Sequence, residues 1–411
     1  MKKYNVILPI AGKAQNFIDA GYTMPKSLIM AKDKHIIDWS MSSIDITDCN
    51  LIFIVRLEHV YDYGIDEILK SKFGNVTICV VDGETRGALD TCLKAEEHID
   101  EDLPLYIYTP DVYFQPTFNL SNAPDCDGFL LTFLANSPDH SYCDIDSKGF
   151  VVRVAEKQVI SRHANVGLYY FKTGELFLKY AKFVEQNHTS DKDFYIAPLY
   201  NHMIKDCLKI TTVETEKMHV LGDVDSFEFF RKRVIAKFGD KPIALASDHS
   251  GFDAKEMAKK VLDNKSIKYI DVGTYVDKPC DYYDYISQST ELIRNNTCEF
   301  GISFCRSGQG VNIAAGQSGV ISALTFDEYT AEFSIKHNCA NHFAVPSKYV
   351  DEEKFSAMVD IWLKTTFDGG RHLTRLNKVF KWKLHYVSPA KLVLLKRDMN
   401  TTRKIYWIIM T

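Results

Sequence analysis

The segment FGISFCRSGQGVNIAAG holds the most reactive arrangement in the sequence. Cys305 closes a strand-like run, Ser307, Gly308 and Gly310 follow in a turn, and a helical pattern opens behind them. Such a turn directs several backbone N–H groups, reinforced by the helix dipole, at one spot in front of the thiol. A free thiol titrates at about 8.5 and is a poor base at neutral pH, and a helix N-terminus is among the surroundings that lower that value. Cys305 is therefore a candidate proton-abstracting thiolate. The same donors could hold an enolate oxygen, a well-placed one contributing about 3 kcal/mol. A single buried cysteine is more often inert packing. What raises Cys305 above that reading is its company: DHSG from Asp248, DYYDY from Asp281, HNCAN from His337 and GGRHLTR from Gly369.

A second candidate lies near the start. LPIAGKAQNFIDAGYTMPKSLI puts a loop between the first strand and PKSL, where exposed N–H groups and the charge of Lys26 make a workable cradle for a triphosphate. Asp111, in TPD, follows a central apolar run, where a turn residue is the structural reading. Neither half has a GxGxxG or GxxxxGKS loop, so dinucleotide and P-loop readings lack their glycines.

The elements that position these residues follow from periodicity. YNVILPI, LIFIVRL, VTICVVD, PLYIYTPD, GFLLTFLAN, VGLYYF and LKITTVETE recur between polar or helix-patterned stretches, an α/β rhythm with a largely parallel, doubly covered sheet. It closes with an amphipathic segment, Ser226 to Phe238, and GDKP breaks the pattern. The rhythm restarts as IALASD, IKYIDVG, FGISFC, VISALTF and HFAVPS, each followed by a helical stretch, which predicts a five-stranded parallel Rossmann-like α/β/α sheet. We divide the chain into residues 1–238, 241–378 and a basic extension, 379–411. From Arg371 to the end ten Lys or Arg face a single acid, Asp398. KLVLLK and KIYWIIM in that tail suggest an added strand pair or an oligomer arm, and a solvated basic extension is the plainer reading.

Composition sets the class. The 411 residues are 46% hydrophobic and 25% charged, as in ordinary globular proteins of two or three domains. A net charge of -5 gives no global reason to expect nucleic acid. Ten cysteines contain no CxxC pair, which argues for reduced thiols rather than zinc or disulfides. The opening apolar run is too short for a secretory segment and no stretch approaches a membrane span, so a cytoplasmic protein without membrane contact is expected.

Taken in order and spacing, the motifs of Lys241 to Lys378 resemble the ribose-5-phosphate isomerase B and galactose-6-phosphate isomerase family. The resemblance implies a Rossmann-like sandwich, a homodimer or higher homo-oligomer with sites at the interface, and a metal-free reaction on a sugar phosphate. Position by position, it makes Cys305 the base that moves a proton between C1 and C2. Ser307, Gly308 and Gly310 hold the enediolate oxygen, His337 opens the sugar ring, and Asn338 lies beside the reacting oxygens. His249, Arg371 and Arg375 grip the phosphate, and Asp248, Asp281 and Tyr282 belong to the substrate-binding motifs. A helix-ending cap is the structural alternative for His337. The family's CGTG and ANK are here CRSG and AAGQ, with Arg306 beside the base and Ile321 replacing a common arginine.

GETRGALDT, TPD, Glu156–Lys157, NVGLYYF and DFYIAPLYN, together with the first loop, resemble the sugar-phosphate nucleotidyltransferase family over most of residues 1–230. That resemblance implies a mixed sheet with helices on both faces and a nucleoside triphosphate partner such as CTP. Gly12 and Lys26 would wrap the phosphates, Gly83 would lie by the base, Asp111 would hold magnesium, and Lys157 would grip the sugar phosphate. Ala14 and Asn16 stand where the family has a second glycine and a phosphate-binding arginine, and no second metal-binding aspartate is evident at Met218 to Gly222. The two resemblances together imply a bifunctional isomerase and nucleotidyltransferase supplying an activated sugar for a glycan. An isomerase with a non-catalytic N-terminal module, and a sugar-phosphate or nucleotide sensor, are the alternatives.

Overall fold

The computed structural model describes residues 2–187, 194–369, 372–373, 375–376 and 378–379. Arg371, the Asp193 that opens DFYIAPLYN, and the basic extension beyond residue 379 lie outside them.

Among the described residues nine strands form the first sheet: β1 (Tyr4–Pro9), β2 (Cys49–Arg56), β3 (Thr77–Val81), β4 (Leu105–Tyr108), β5 (Gly128–Leu134), β6 (Tyr142–Ile145), β7 (Val151–Ala155), β8 (His163–Phe171) and β9 (Ile210–Glu214). The order is β7-β6-β8-β4-β1-β2-β3, with β5 paired to β8 and β9. Along β1 and β2 successive side chains enter opposite cores. Ile7, Ile52 and Ile54 pack with helix α1 (Ala88–Leu93) and α2 (Gly174–Asn187), while Val6, Leu8, Leu51, Phe53 and Val55 fill the other face. Burial on both faces explains why these strands are unbroken apolar runs.

The sheet is more mixed than the rhythm of the sequence suggests. β4, β1, β2 and β3 are parallel, but β8 runs antiparallel to both β4 and β5. The chain goes from β5 to β8 through the β6–β7 hairpin with no crossover helix, the connection that parallel neighbours need. The segment after Gly222 is likewise not one continuous α-helix: α3 spans Val224–Phe229 and continues as a wider π turn over Phe230–Val234.

The second sheet holds β10 (Ile243–Ser247), β11 (Tyr269–Asp271), β12 (Phe300–Cys305), β13 (Ser322–Leu324) and β14 (His342–Pro346), all parallel in the order β11-β10-β12-β14-β13. Helices α4 (Phe252–Asn264), α5 (Tyr282–Arg294), α6 (Gln309–Gln317), α7 (Glu328–Lys336) and α8 (Glu352–Lys364) follow the strands in turn. Side-chain size sorts the two faces. Ile243, Leu245, Ile302, Phe304 and Phe343 meet α4, α7 and α8, whereas Ala244, Ala246 and Ala344 let α5 and α6 come close. The halves are joined by Phe238, whose ring meets Phe300, Phe343 and Trp362, and by a Lys217–Asp368 ion pair at 3.0 Å.

His342 lies fully buried in β14. Ser322 donates its hydroxyl proton to Asn312 at 2.7 Å, so it accepts from His342 Nδ1 at 2.9 Å, and Ser303 donates to Nε2 at 2.8 Å. This chain of bonds needs a neutral ring, and burial pushes the imidazole down to about 3. A depressed histidine contributes stability that is complete above its ordinary value of about 6.5 and is lost as the pH falls from there toward 3. Stability should therefore fall by up to about 1.4 kcal/mol per pH unit below about 6 on account of His342. Urea melts of the wild type and His342→Asn across that range would test this, an unchanged slope in the variant counting against it.

Candidate active site

In a parallel α/β sheet the loops after the strands gather at one edge. Asp248 and His249 follow β10, Cys280, Asp281 and Tyr282 follow β11, and Cys305, Ser307, Gly308 and Gly310 follow β12. Cys305 is the last residue of its strand and 6% exposed, packed in the core beneath α5 and α6. Its carbonyl accepts from the Ser347 N–H at 3.0 Å, and the Ser347 hydroxyl donates to the Ser250 carbonyl at 2.9 Å, tying three loops together.

Gly308 caps α6 with φ 73°, and a Cβ there would stand 2.5 Å from Leu324 Cδ1 and 3.2 Å from the Pro346 nitrogen. Only glycine meets both demands without strain, and it turns the chain so that α6 begins beside Cys305. Gly308→Ala should cost about 2 kcal/mol by urea unfolding, from the left-handed backbone and the contact together. A loss below a few tenths would show that the loop can relax. Gly310 leaves room for Tyr282, whose ring would be 3.0 Å from a Cβ at that position.

Asp248 accepts from the Gly251 N–H at 2.9 Å, and burial raises its carboxyl above the ordinary range against that bond. The Cys280 N–H donates to His249 Nδ1 at 3.2 Å, so a neutral His249 carries its proton on Nε2. Asp281 caps α5 by accepting from the Tyr283 N–H at 2.9 Å.

His337 and Asn338 are elsewhere. His337 ends α7 as its C-cap, its N–H donating to the Phe333 carbonyl at 3.2 Å, and Asn338 donates to the same carbonyl at 3.2 Å. They precede β14, whose His342 pairs with Gly301 and whose Pro346 pairs with Cys305. The pair therefore lies at the edge where strands begin and Cys305 where they end, a strand length of roughly 17 Å away. The His337 ring stacks on His372 at 4.0 Å, which places His372 at that same far edge, and Arg375 follows it three residues on in the chain.

In the first domain a cavity of about 950 Å³ is lined by Asp111, His140, Glu156, Asn165, Tyr195 and Asp223 among others. Lys26 Nζ is 3.4 Å from Asp111 Oδ2, and Lys157 donates to the Tyr195 hydroxyl at 2.8 Å. Gly12 and Gly83 belong to two loops joined by a Lys13–Glu84 ion pair at 2.6 Å, outside the cavity lining. Ala14 adopts φ 52°, the left-handed conformation that suits glycine. Asn16 donates to the Gly222 carbonyl at 3.4 Å, and a Cβ on Gly222 would stand 2.8 Å from Asp111 Oδ2.

Two residues of this cavity escaped the sequence reading. Asp223 stands one position beyond the window in which a second carboxylate was sought, and it both lines the cavity and caps α3 through the Ser226 N–H at 2.8 Å. The D-x-x-S spacing of that cap was its available signal. Asn165 is 6% exposed; its Oδ1 accepts from the Gly167 N–H at 2.8 Å, while Nδ2 is buried without a hydrogen-bond partner. An orphan donor on a cavity wall is suited to a ligand oxygen. Asp111 and Asp223 both line the cavity, and their carboxylate oxygens are the donor type that magnesium takes, although no cluster of three or more such ligands occurs among the described residues.

A model of the ribose/galactose isomerase family matches residues 243–379. A Rickettsia conorii protein described as a sugar phosphate isomerase is 38% identical over 138 residues, 33% of this chain and 96% of its own. Ribose-5-phosphate isomerase B of Escherichia coli is 33% identical over 140 residues, 34% of this chain and 94% of its own. The solved structure of a nucleoside-diphosphate-sugar pyrophosphorylase from Vibrio cholerae aligns with a TM-score of 0.49 at 24% identity, covering 56% of this chain and 100% of that chain.

Proposed function

The chain belongs, through residues 243–379, to the ribose/galactose isomerase family, and from that premise we propose that its C-terminal domain interconverts an aldose phosphate and a ketose phosphate through an enediolate. The observation that carries this reading is Cys305 at the end of β12, with the glycine turn of α6 in front of it and Asp248, His249, Asp281 and Tyr282 on the adjoining loops. The Cys305 thiolate removes the proton from C2 and returns it to C1, and the oxygen charge that develops faces the first N–H groups of α6, which no helical carbonyl can satisfy. His249, with Nε2–H free to donate, Arg371 and Arg375 hold the phosphate. His337 opens the ring and Asn338 steadies the reacting oxygens, so a complete site takes Cys305 from one copy and His337 from another. Tyr275, Val276, Tyr283 and Ile313, all more than half exposed around the Cys305 edge, are the apolar surface such a homodimer would cover. This proton transfer requires no metal.

The N-terminal domain, on this reading, binds a nucleoside triphosphate such as CTP and a sugar phosphate in the cytoplasm, and transfers the nucleotide to the sugar phosphate. Asp111 and Asp223 would hold magnesium, which when bound offsets charge on the phosphates. Lys26 and the first loop orient the triphosphate, and Lys157 and Asn165 hold the sugar phosphate. Asn16, neutral where an arginine would add charge, favours the alternative of a binding module that no longer transfers.

Incubation of the full chain with pentose and hexose phosphates in heavy water, with and without triphosphate and magnesium, tests both halves by mass spectrometry. Deuterium in the product marks proton transfer and a nucleotide-sugar mass marks activation. Absence of deuterium from every sugar, or its loss on adding chelator, overturns the isomerase reading as stated.

A further inference from the structure

The N-terminal cavity is not built from the N-terminal domain alone. Leu373 and Lys378, from the end of the isomerase domain, stand in its wall. Leu373 is 7% exposed and packs with Phe367 and Cys339 of its own domain and with Phe229 of the first. Phe229 itself lines the cavity, and its ring meets Phe367 at 6.1 Å. The docking of one domain on the other thus shapes this site.

Charge gives the contact a chemical role. Asp111, Asp139, Glu156, Asp223 and Asp225 line the cavity, and among the described lining residues Lys378 is the only lysine or arginine. Burial holds His140 below the ordinary histidine range, so at neutral pH it adds no charge. A phosphorylated ligand entering a wall of carboxylates is repelled unless cations meet its phosphate. A divalent ion held by Asp111 and Asp223 would meet one end, and among the described lining residues the first domain contributes no lysine or arginine to meet the other.

We propose that Lys378 of the isomerase domain is a phosphate-holding cation of the N-terminal cavity, acting with Lys157 and making that cavity a composite site for a sugar phosphate. This rests on the reading of the cavity as a sugar-phosphate site. The two domains would then be fused because the second completes the first.

The test uses the full chain with magnesium and calorimetric titration of glucose 1-phosphate, galactose 1-phosphate and mannose 1-phosphate. An aldose 1-phosphate has its anomeric carbon locked by the phosphate and offers no carbonyl to enolise, so isomerisation does not interfere. For a 1-phosphate that binds, Lys378→Ala should weaken binding about tenfold and Lys378→Glu further, with Lys378→Arg restoring it, as for one charge-assisted contact. Thermal melts should be unchanged, because the side chain is exposed. If Lys378→Glu binds as tightly as the wild type while Asn165→Ala abolishes binding, the assignment of Lys378 is wrong and the cavity stands. If the wild type binds none of the three, or binding is indifferent to both Asn165→Ala and Asp111→Asn, the reading of the cavity fails and the assignment with it.

Discussion

Chains carrying Cys305→Ser and chains carrying His337→Ala, each nearly inactive alone, should regain about a quarter of wild-type isomerase turnover when refolded together in equal amounts. The expectation follows from strand register. Cys305 pairs with Pro346 at the edge where the sheet ends, and His337 precedes His342, which pairs with Gly301 at the edge where it begins. A strand length of roughly 17 Å separates them, far beyond hydrogen-bond reach of one sugar carbon chain's reacting end. If each site draws Cys305 from one copy and His337 from the other, half of randomly paired dimers are mixed, and each mixed dimer has one intact site of two. Each variant alone should lose about 10²–10⁴ in turnover, the usual contribution of a positioned acid or base. Steady-state rates with equal total protein decide the matter. Mixtures no faster than the mean of the two variants would show that His337 does not act on a neighbour's Cys305.

Restoring charge to the first loop is the second large effect. Ala14→Gly with Asn16→Arg should raise nucleotidyl transfer tenfold or more while changing triphosphate binding less. Ala14 already holds φ 52°, so glycine relieves a conformation that costs an L-residue about 1–2 kcal/mol. Asn16 lies against the Gly222 carbonyl, and Gly222 abuts Asp111, so an arginine at position 16 would bring positive charge beside the cavity's carboxylates. A charged contact is worth about 1.5–3 kcal/mol, and if it acts only in the transition state the whole of it appears in the rate. Pyrophosphate release and triphosphate calorimetry on both forms would measure this. Brisk transfer by the natural chain would mean that another group replaces the missing arginine, and absence of triphosphate binding would remove the nucleotide site altogether.

Much of the C-terminal half was legible in sequence because its signals are local. Apolar runs alternating with helical stretches mark a parallel α/β unit, and the glycines at 308 and 310 mark a turn that opens a helix, wherever the chain lies in space. Cys305, Ser307, Gly308 and Gly310 are neighbours along the chain, and Asp248 and Asp281 each follow a strand, so their convergence at one sheet edge is a property of any parallel α/β unit. What sequence order alone could not decide is which motifs meet. His337 sits in the same motif set as Cys305, yet the direction of α7 carries it to the opposite edge, because a helix that links parallel strands must run back along the sheet. Nor does sequence order show that Leu373 and Lys378 enter a cavity whose other described lining residues come from Ala88 to Phe229. Asn165 reads as an ordinary strand residue until packing leaves its amide buried without a partner, and Asp223 as a helix cap until the fold sets it on the wall that Asp111 shares. Local conformation is set by each residue's own backbone and neighbours, whereas the meeting of distant side chains depends on strand direction and domain docking, which only the assembled core decides.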